Sequence, residues 1–124
     1  MTGRRQGLGA RGEALARAHL ERAGYVVRAT NHRNRRGETD IIADHEGCLV
    51  FVEVRTRRGA GFGTPEESIG PRKARRLVAL AQEYAADHPE APQNLRIDVV
   101  AVALTSAGSL ARIEVVQNAV TDQT

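Results

Sequence analysis

Two carboxylates, Asp40 and Glu53, each lie inside an otherwise apolar stretch of the chain. The stretches on either side of Glu46-Gly47 are rich in Ile, Val and Phe, which predicts two β-strands joined by a tight turn. A loop of two or four residues centred on Glu46-Gly47 places Asp40 directly opposite Glu53. Like charges in that position destabilise a sheet, so the pairing needs compensation. A divalent cation held between the two carboxylates is the simplest form of it.

A positively charged side chain, that of Arg55, lies close to the two carboxylates in the sequence. Side chains alternate faces along a strand, so Arg55 lies on the same face as Glu53. A loop of three residues would instead make Asp40 and Glu53 diagonal neighbours, and each could then pair separately with one of the many arginines. The position of Arg55 favours a functional cluster over two separate ion pairs.

Asp40, followed after twelve residues by Glu53-Val54-Arg55, resembles the D…(D/E)-x-K signature of the PD-(D/E)XK nucleases, which have the restriction-endonuclease-like fold. More closely, the chain resembles the YraN-like bacterial family, which is similar to archaeal Holliday junction resolvases. The resemblance covers nearly the whole chain in order. It rests on the segments Gly12-Glu13-Ala14-Leu15-Ala16, Gly37-Glu38-Thr39-Asp40-Ile41-Ile42-Ala43, Phe51-Val52-Glu53-Val54-Arg55-Thr56-Arg57, Phe62-Gly63-Thr64-Pro65-Glu66-Glu67, Pro71-Arg72-Lys73 and Asp98-Val99-Val100-Ala101-Val102.

This resemblance implies a reaction and a set of site residues. Asp40 and Glu53 would bind Mg²⁺ or Mn²⁺, and Glu13 matches the first-helix glutamate that completes the metal site. The implied reaction is hydrolysis of a DNA phosphodiester bond, with Arg55 neutralising charge on the phosphate. Branched DNA is the implied substrate, and a homodimer is the implied assembly. The alternative for Glu13 is a surface ion pair with Arg17, four residues further along the helix.

One departure from the signature bears on catalysis. Arg55 occupies the position of the superfamily's lysine, and an arginine cannot act as a base. Lys73, the chain's only lysine, could supply the missing ammonium from another element or could contact phosphate at a helix start. Glu38 is a further acidic candidate, or it neutralises Arg55. The departure favours an alternative function, a nucleic-acid-binding module that keeps the nuclease fold without catalysis. An enzyme that cleaves RNA would share every other feature.

Basic residues are concentrated in one part of the chain. Residues 1–76 hold 16 of the 18 Lys and Arg residues against 9 Asp and Glu, a net charge of +7, whereas residues 77–124 hold 2 against 6, a net of −4. This asymmetry predicts a surface that faces a polyanion such as DNA; a solvated basic face is the alternative. The candidate nucleic-acid contacts are Arg35, Arg36, Arg57, Arg58, Arg72, Lys73, Arg75 and Arg76.

Periodicity and helix breakers predict the elements that position these residues. Helices are expected at residues 4–23 and 70–87, the second burying a stripe of Leu77, Leu80, Ala81 and Tyr84. Strands are expected at 25–30, 37–44, 48–56, 95–104 and 111–116, with 31–37 a basic connection in which His32 is exposed. The expected architecture is an α/β domain of residues 1–124, restriction-endonuclease-like, with a mixed central sheet flanked by helices in the order αβββαββ.

Three smaller features complete the predictions. Thr64-Pro65-Glu66-Glu67 has the pattern of a capped helical turn. Asp98, inside an apolar strand, is expected to pair structurally. A lone cysteine, Cys48, suits a reducing compartment, and no apolar run approaches the ~20 residues of a membrane span or the core of a signal peptide. We therefore expect a cytoplasmic protein without membrane contact.

Overall fold

The computed structural model describes residues 3–59 and 69–119, with side chains from residue 9 onward. It confirms the predicted element order αβββαββ. The elements are α1 (Gly3–Arg22), β1 (Val26–Asn34), β2 (Gly37–His45), β3 (Cys48–Arg58), α2 (Pro71–Asp87), β4 (Asn94–Leu104) and β5 (Leu110–Val116). The capped turn expected at Thr64-Pro65-Glu66-Glu67 lies outside the described residues. Neither helix is long and apolar enough, over the described ranges, to cross a membrane.

The five strands form one mixed sheet in the spatial order β1-β2-β3-β4-β5. The pairs β1–β2, β2–β3 and β4–β5 are antiparallel, and β3–β4 is parallel. The parallel pair requires a crossover connection, and α2 supplies it. Lys73, in the first turn of α2, contacts Glu53 of β3, so this helix begins near the end of the sheet where β3 finishes.

The central hairpin has the predicted register. His45 pairs with Cys48 and Ile41 pairs with Val52, so the turn contains only Glu46 and Gly47. Both turn residues have left-handed backbone angles, with φ of 50° and 79°. A two-residue turn with positive φ at both positions matches the twist of the flanking strands, which explains why this short turn sets the register.

The first strand is longer than predicted. The connection expected at residues 31–37 continues β1 as far as Asn34, and only Arg35 and Arg36 form the turn. Alternation of apolar residues does not reveal this half of β1 because it is a polar edge strand, where charged side chains face solvent. His32, expected to be exposed, instead packs edge-on against Tyr84 of α2, with ring centroids 5.1 Å apart.

The sheet buries both faces, one under each helix. On the α1 face, Ala16 and Leu20 pack against Ile41, Val50 and Val100. On the α2 face, the predicted stripe is confirmed: Leu77, Leu80, Ala81 and Tyr84 pack against Ile42, Leu49 and Phe51. β3 is covered on both sides, so a charged residue on it is held in an environment of low polarity.

Candidate active site

Asp40 lies where the two strands of the hairpin separate. Regular pairing between β2 and β3 runs from the turn to Ile41 and Val52. Beyond that point Asp40 Oδ2 accepts a hydrogen bond from the backbone N–H of Val54 at 2.7 Å. The buried Thr39 hydroxyl donates to the carbonyl of Val52 at 3.3 Å. These side-chain bonds replace part of the ladder, so the carboxylate of Asp40 is held inside a fork between the strands.

Two further carboxylates approach Asp40. Burial, followed by the charges of Glu53 and Glu13, raises the pKa of Asp40 from 3.8 to about 7, and the hydrogen bond from Val54 opposes that rise. Glu13 of α1, which the family resemblance implied, and Glu53 of β3 therefore both lie close to Asp40. Arg17, the alternative partner of Glu13, forms its ion pair with Glu21 at 3.1 Å. The fork is a cluster of three acids that repel one another.

A cation from α2 enters the same cluster. Lys73 Nζ lies 2.6 Å from Glu53 Oε2, and Arg55 Nη2 lies 3.6 Å from the same oxygen. Glu53 is only 6% exposed, so both cations act on a carboxylate with little access to water. Lys73, the chain's only lysine, therefore lies beside both Glu53 and Arg55 in the fork.

The backbone next to Asp40 has a feature that the sequence did not indicate. Asn31 falls between the pairs Thr30–Ile41 and His32–Thr39, which places it opposite Asp40 on β1. Its φ of 52° is left-handed, an uncommon conformation for a residue other than glycine inside a strand. Such angles cluster at functional sites, where the surrounding structure holds them.

Glu38 is separate from this cluster. It lies opposite Arg33 in the β1–β2 pairing, and its carboxylate contacts the Arg33 guanidinium at 3.3 Å with most of both side chains exposed. Exposed pairs of this kind contribute little to stability. Glu38 is therefore a member of the arginine-rich surface beside the fork, while Arg55 contacts Glu53.

The donor set of the fork suits a hard cation. Asp40, Glu53 and Glu13 offer only carboxylate oxygens, which Mg²⁺ and Mn²⁺ prefer. Within the described ranges, however, no three acidic, histidine or cysteine side chains are already arranged as a metal cage. The Glu53 oxygen nearest to Lys73 is occupied by that contact, and a carboxylate has a second oxygen to offer.

An arginine-rich cleft of about 390 Å³ opens beside the fork. It lies between the β1–β2 turn and the first turns of α2, and Lys73 belongs to both the cleft and the fork. Its walls include four arginines, of which Arg33 was not among the predicted nucleic-acid contacts. Arg35 and Arg36 also reach Glu83 of α2, at 3.7 and 3.6 Å. The cleft is lined by Arg33, Asn34, Arg35, Arg36, Gly37, Glu38, Lys73, Arg76 and Leu77.

The other predicted nucleic-acid contacts are distributed around the sheet. Arg72 and Arg75 are exposed on the first turns of α2. Arg57 and Arg58 are exposed at the end of β3, where successive side chains point to opposite faces. Arg58 lies near Gly108, whose carbonyl accepts a hydrogen bond from Arg11 of α1. Arg58 is therefore on the α1 side, away from the α2 cations.

A second polar cluster, at the opposite end of the sheet, is structural. Asp98, fully buried, accepts hydrogen bonds from Tyr25 at 2.8 Å and from Arg96 at 3.0 Å, which confirms its predicted structural role. Burial and then Asp98 raise the pKa of Tyr25 to about 12. His45 stacks on Tyr25 with ring centroids 3.8 Å apart and contacts Arg96 at 2.7 Å. These groups satisfy one another.

Gly12 sets the distance between α1 and β3, and so positions Glu13. A Cβ added at Gly12 would lie 1.8 Å from Thr56 Oγ1 and 2.9 Å from Thr56 Cβ. We expect Gly12→Ala to lower the free energy of unfolding by about 1–3 kcal/mol in urea titrations. Gly9→Ala is the matched control, because nothing lies within 4 Å of its added Cβ. It should stabilise α1 by up to about 1 kcal/mol, and equal effects at the two sites would contradict the close approach.

Comparison with known proteins gives the following matches. A family model described as "Uncharacterised protein family UPF0102" matches residues 12–102. A UPF0102 protein of Roseiflexus castenholzii is 52% identical over 106 residues, which cover 84% of this chain and 85% of the relative. One from Anaeromyxobacter dehalogenans is 50% identical over 98 residues, 79% and 73% of the two chains. One from Clavibacter michiganensis is 44% identical over 116 residues, 94% and 98%. Glu13, Asp40, Glu53, Arg55 and Lys73 all lie within residues 12–102.

Proposed function

The chain belongs to the UPF0102 family, and we propose that it is a metal-dependent nuclease that hydrolyses phosphodiester bonds of DNA. The observation that carries the proposal is the meeting of Asp40, Glu53 and Lys73 in one strand fork, with Lys73 Nζ 2.6 Å from Glu53. Two carboxylates and an ammonium are the groups that the PD-(D/E)XK signature brings together. Placement in that nuclease superfamily, near the Holliday junction resolvases, is part of the proposal.

Asp40 and Glu53, assisted by Glu13, are the residues that would hold Mg²⁺ or Mn²⁺. When bound, such an ion would supply a Lewis acid that polarises a phosphate oxygen and lowers the pKa of an attacking water. Burial, and after it repulsion from Glu53 and Glu13, raises the pKa of Asp40. A divalent cation relieves that repulsion, so the fork is suited to one in charge as well as in donor type.

Lys73 and Arg55 together supply the two functions that a single lysine has in the usual signature, which are an ammonium group near the attacking water and a positive charge near the phosphate. Lys73 carries a compact ammonium that can hold a water or a phosphate oxygen, and its pKa can shift in a buried site. Arg55 stays charged and stabilises negative charge that develops on the phosphate. Both lie within 4 Å of Glu53, so both reach the place where a phosphate bound at the fork would react.

The alternative is a nucleic-acid-binding module that has kept the nuclease fold without catalysis. Arg55 at the lysine position favours it, and so does the ion pair that occupies Lys73. An RNA-cleaving enzyme would use the same cluster. The proposed setting is the cytoplasm, and the proposed substrate is DNA, including branched DNA cut by a homodimer.

A cleavage assay tests the function directly. The protein should cut linear, flapped or four-way DNA in Mg²⁺ or Mn²⁺ and should lose that activity in excess EDTA. Asp40→Asn should be inactive on every substrate while still folding. If wild type cuts none of these DNAs but binds them, the binding module is correct. Cleavage of matched RNA alone would identify the enzyme as a ribonuclease.

Arg55 gives a graded effect in the same assay. Arg55→Ala should lower kcat at least tenfold, about 1.4 kcal/mol of barrier, because the phosphate loses a nearby positive charge. Arg55→Lys should keep or raise activity, since it restores the usual signature. If wild type is inactive while Arg55→Lys gains metal-dependent cleavage, the natural protein is a binding module.

A further inference from the structure

The arginine-rich cleft carries more positive charge than is needed to balance the carboxylates of the fork. Four arginines and Lys73 line it, while Glu38 is the only acidic residue in the part of the lining that the structure describes. Glu38 contacts Arg33, at 3.3 Å, which leaves a strong excess of positive charge. Arg33, Arg35 and Arg36 have side chains 58–85% exposed, so their guanidinium groups are accessible to an anion that enters from solvent.

The size of the cleft limits what can enter. A volume of about 390 Å³ lies at the lower end of the range of roughly 300–1,000 Å³ for pockets that take small organic ligands. A single nucleotide fits such a space. A base pair with both of its strands contains two nucleotides, which is more than a pocket at the lower end of that range holds. The described part of the cleft therefore suits one strand better than a duplex.

The lining has chemistry for both parts of a nucleotide. The guanidinium groups can bind a phosphate through two parallel hydrogen bonds, and their planar faces can stack on a base. Leu77, 3% exposed, gives the cleft an apolar wall. The described lining contains no aromatic ring, so arginine planes take the place of the aromatic platforms used by many single-strand binders.

The position of Lys73 connects the cleft to the fork. Lys73 lines the cleft, and its Nζ contacts Glu53 at 2.6 Å. We propose that the cleft holds one unpaired nucleotide of the DNA strand that is cut at the fork. The substrate class is then DNA with an unpaired strand next to the cut, such as a flap or a splayed arm. This inference rests on the proposed nuclease function.

Binding in EDTA tests the cleft without catalysis. Fluorescence anisotropy would compare a blunt 20-base-pair duplex with the same duplex carrying an unpaired 5-nucleotide DNA tail. Wild type should bind the tailed DNA at least fivefold more tightly. Arg33→Gln and Arg76→Gln should each remove most of that preference. Arg75→Gln, next to Arg76 but not in the cleft lining, should weaken binding to both DNAs alike and leave the ratio between them intact.

The outcomes separate this inference from the proposed function. Equal binding of tailed and blunt DNA, or equal loss of preference in Arg75→Gln and Arg76→Gln, would overturn the cleft as a single-strand site. Tighter binding of an RNA tail than of the DNA tail would overturn DNA as its ligand. Tail preference that depends on Arg33 and Arg76, in a protein without nuclease activity, would sink the nuclease proposal and support the cleft. If the protein cuts blunt duplex DNA, and Arg33→Gln and Arg76→Gln leave that activity unchanged, the nuclease proposal is supported and the cleft is overturned as a single-strand site.

Discussion

Asp40→Asn is expected to raise the free energy of unfolding of the metal-free protein by about 2–3 kcal/mol at pH 8. Burial and then the charges of Glu53 and Glu13 raise the pKa of Asp40 to about 7 in the folded chain. Asparagine has the same shape, can still accept the hydrogen bond from Val54, and carries no charge. Part of Asp40 remains exposed, and solvent screening keeps the gain below the value that the full pKa change would give.

The sign of the pH dependence follows from the same shift. Between pH 3.8, where an unperturbed aspartate titrates, and about pH 7, the folded protein keeps a proton that the unfolded chain releases. Stability from this group is therefore complete below about pH 4 and lost as pH rises to about 7. The advantage of Asp40→Asn over wild type should be small at pH 4 and largest at pH 8, as measured by urea titrations in EDTA.

Added metal should stabilise wild type but not Asp40→Asn, and so should oppose the stability advantage that Asp40→Asn has in EDTA. Millimolar Mg²⁺ or Mn²⁺ should raise the Tm of wild type at pH 8 and leave that of Asp40→Asn unchanged, because binding to the folded state stabilises it. Asp44→Asn is the matched control on the same strand. Asp44 contacts Arg28 at 2.6 Å, so its substitution should lower stability and keep the metal response. A less stable Asp40→Asn at pH 8, or equal metal responses in all three proteins, would contradict the acid cluster.

The parts of this site that the sequence predicted depend on short-range rules. The turn at Glu46-Gly47 sets the hairpin register, and strand alternation then places Glu53 and Arg55 on one face. The helix from Pro71 follows from a proline at its first position and a buried stripe. With both elements in place, the return of Lys73 towards the hairpin follows from the crossover between parallel strands.

The parts that were missed depend on tertiary contacts. The polar half of β1 exists because β2 offers it a partner, and its residues have no apolar alternation to reveal it. The left-handed φ of Asn31 opposite Asp40 has no local signal, because nothing in the neighbouring sequence separates Asn31 from the other asparagines, of which Asn118 is left-handed as well. Arg33 lines the cleft because β1 continues beyond Thr30 to Asn34, and the sequence did not predict that extension. Pairing of Arg17 with Glu21, which leaves Glu13 for Asp40, is a choice between two helical neighbours at equal spacing.

Lys73→Gln is expected to lower kcat for DNA cleavage at least a hundredfold, about 2.7 kcal/mol of barrier. The ammonium lies 2.6 Å from the 6%-exposed Glu53, where water screens its charge poorly, and no other lysine exists to replace it. A general acid–base group or a charge-stabilising donor typically contributes that much or more. Stability should fall as well, because Glu53 would keep only Arg55 as a cationic neighbour among the contacts that hold it.

Lys73→Arg distinguishes two roles of Lys73, which are to balance the charge of Glu53 and to exchange a proton with water. Arginine can retain an ion pair with Glu53, so stability should recover, but it cannot give up a proton. If Lys73 only balances the charge of Glu53, Lys73→Arg should restore cleavage together with stability. If Lys73 orients or deprotonates water, Lys73→Arg should restore stability and leave kcat low. Single-turnover rates and urea titrations on the same three proteins measure both quantities. Wild-type cleavage by a stable Lys73→Gln would show that Arg55 and the bound metal suffice, and would end the catalytic assignment of Lys73.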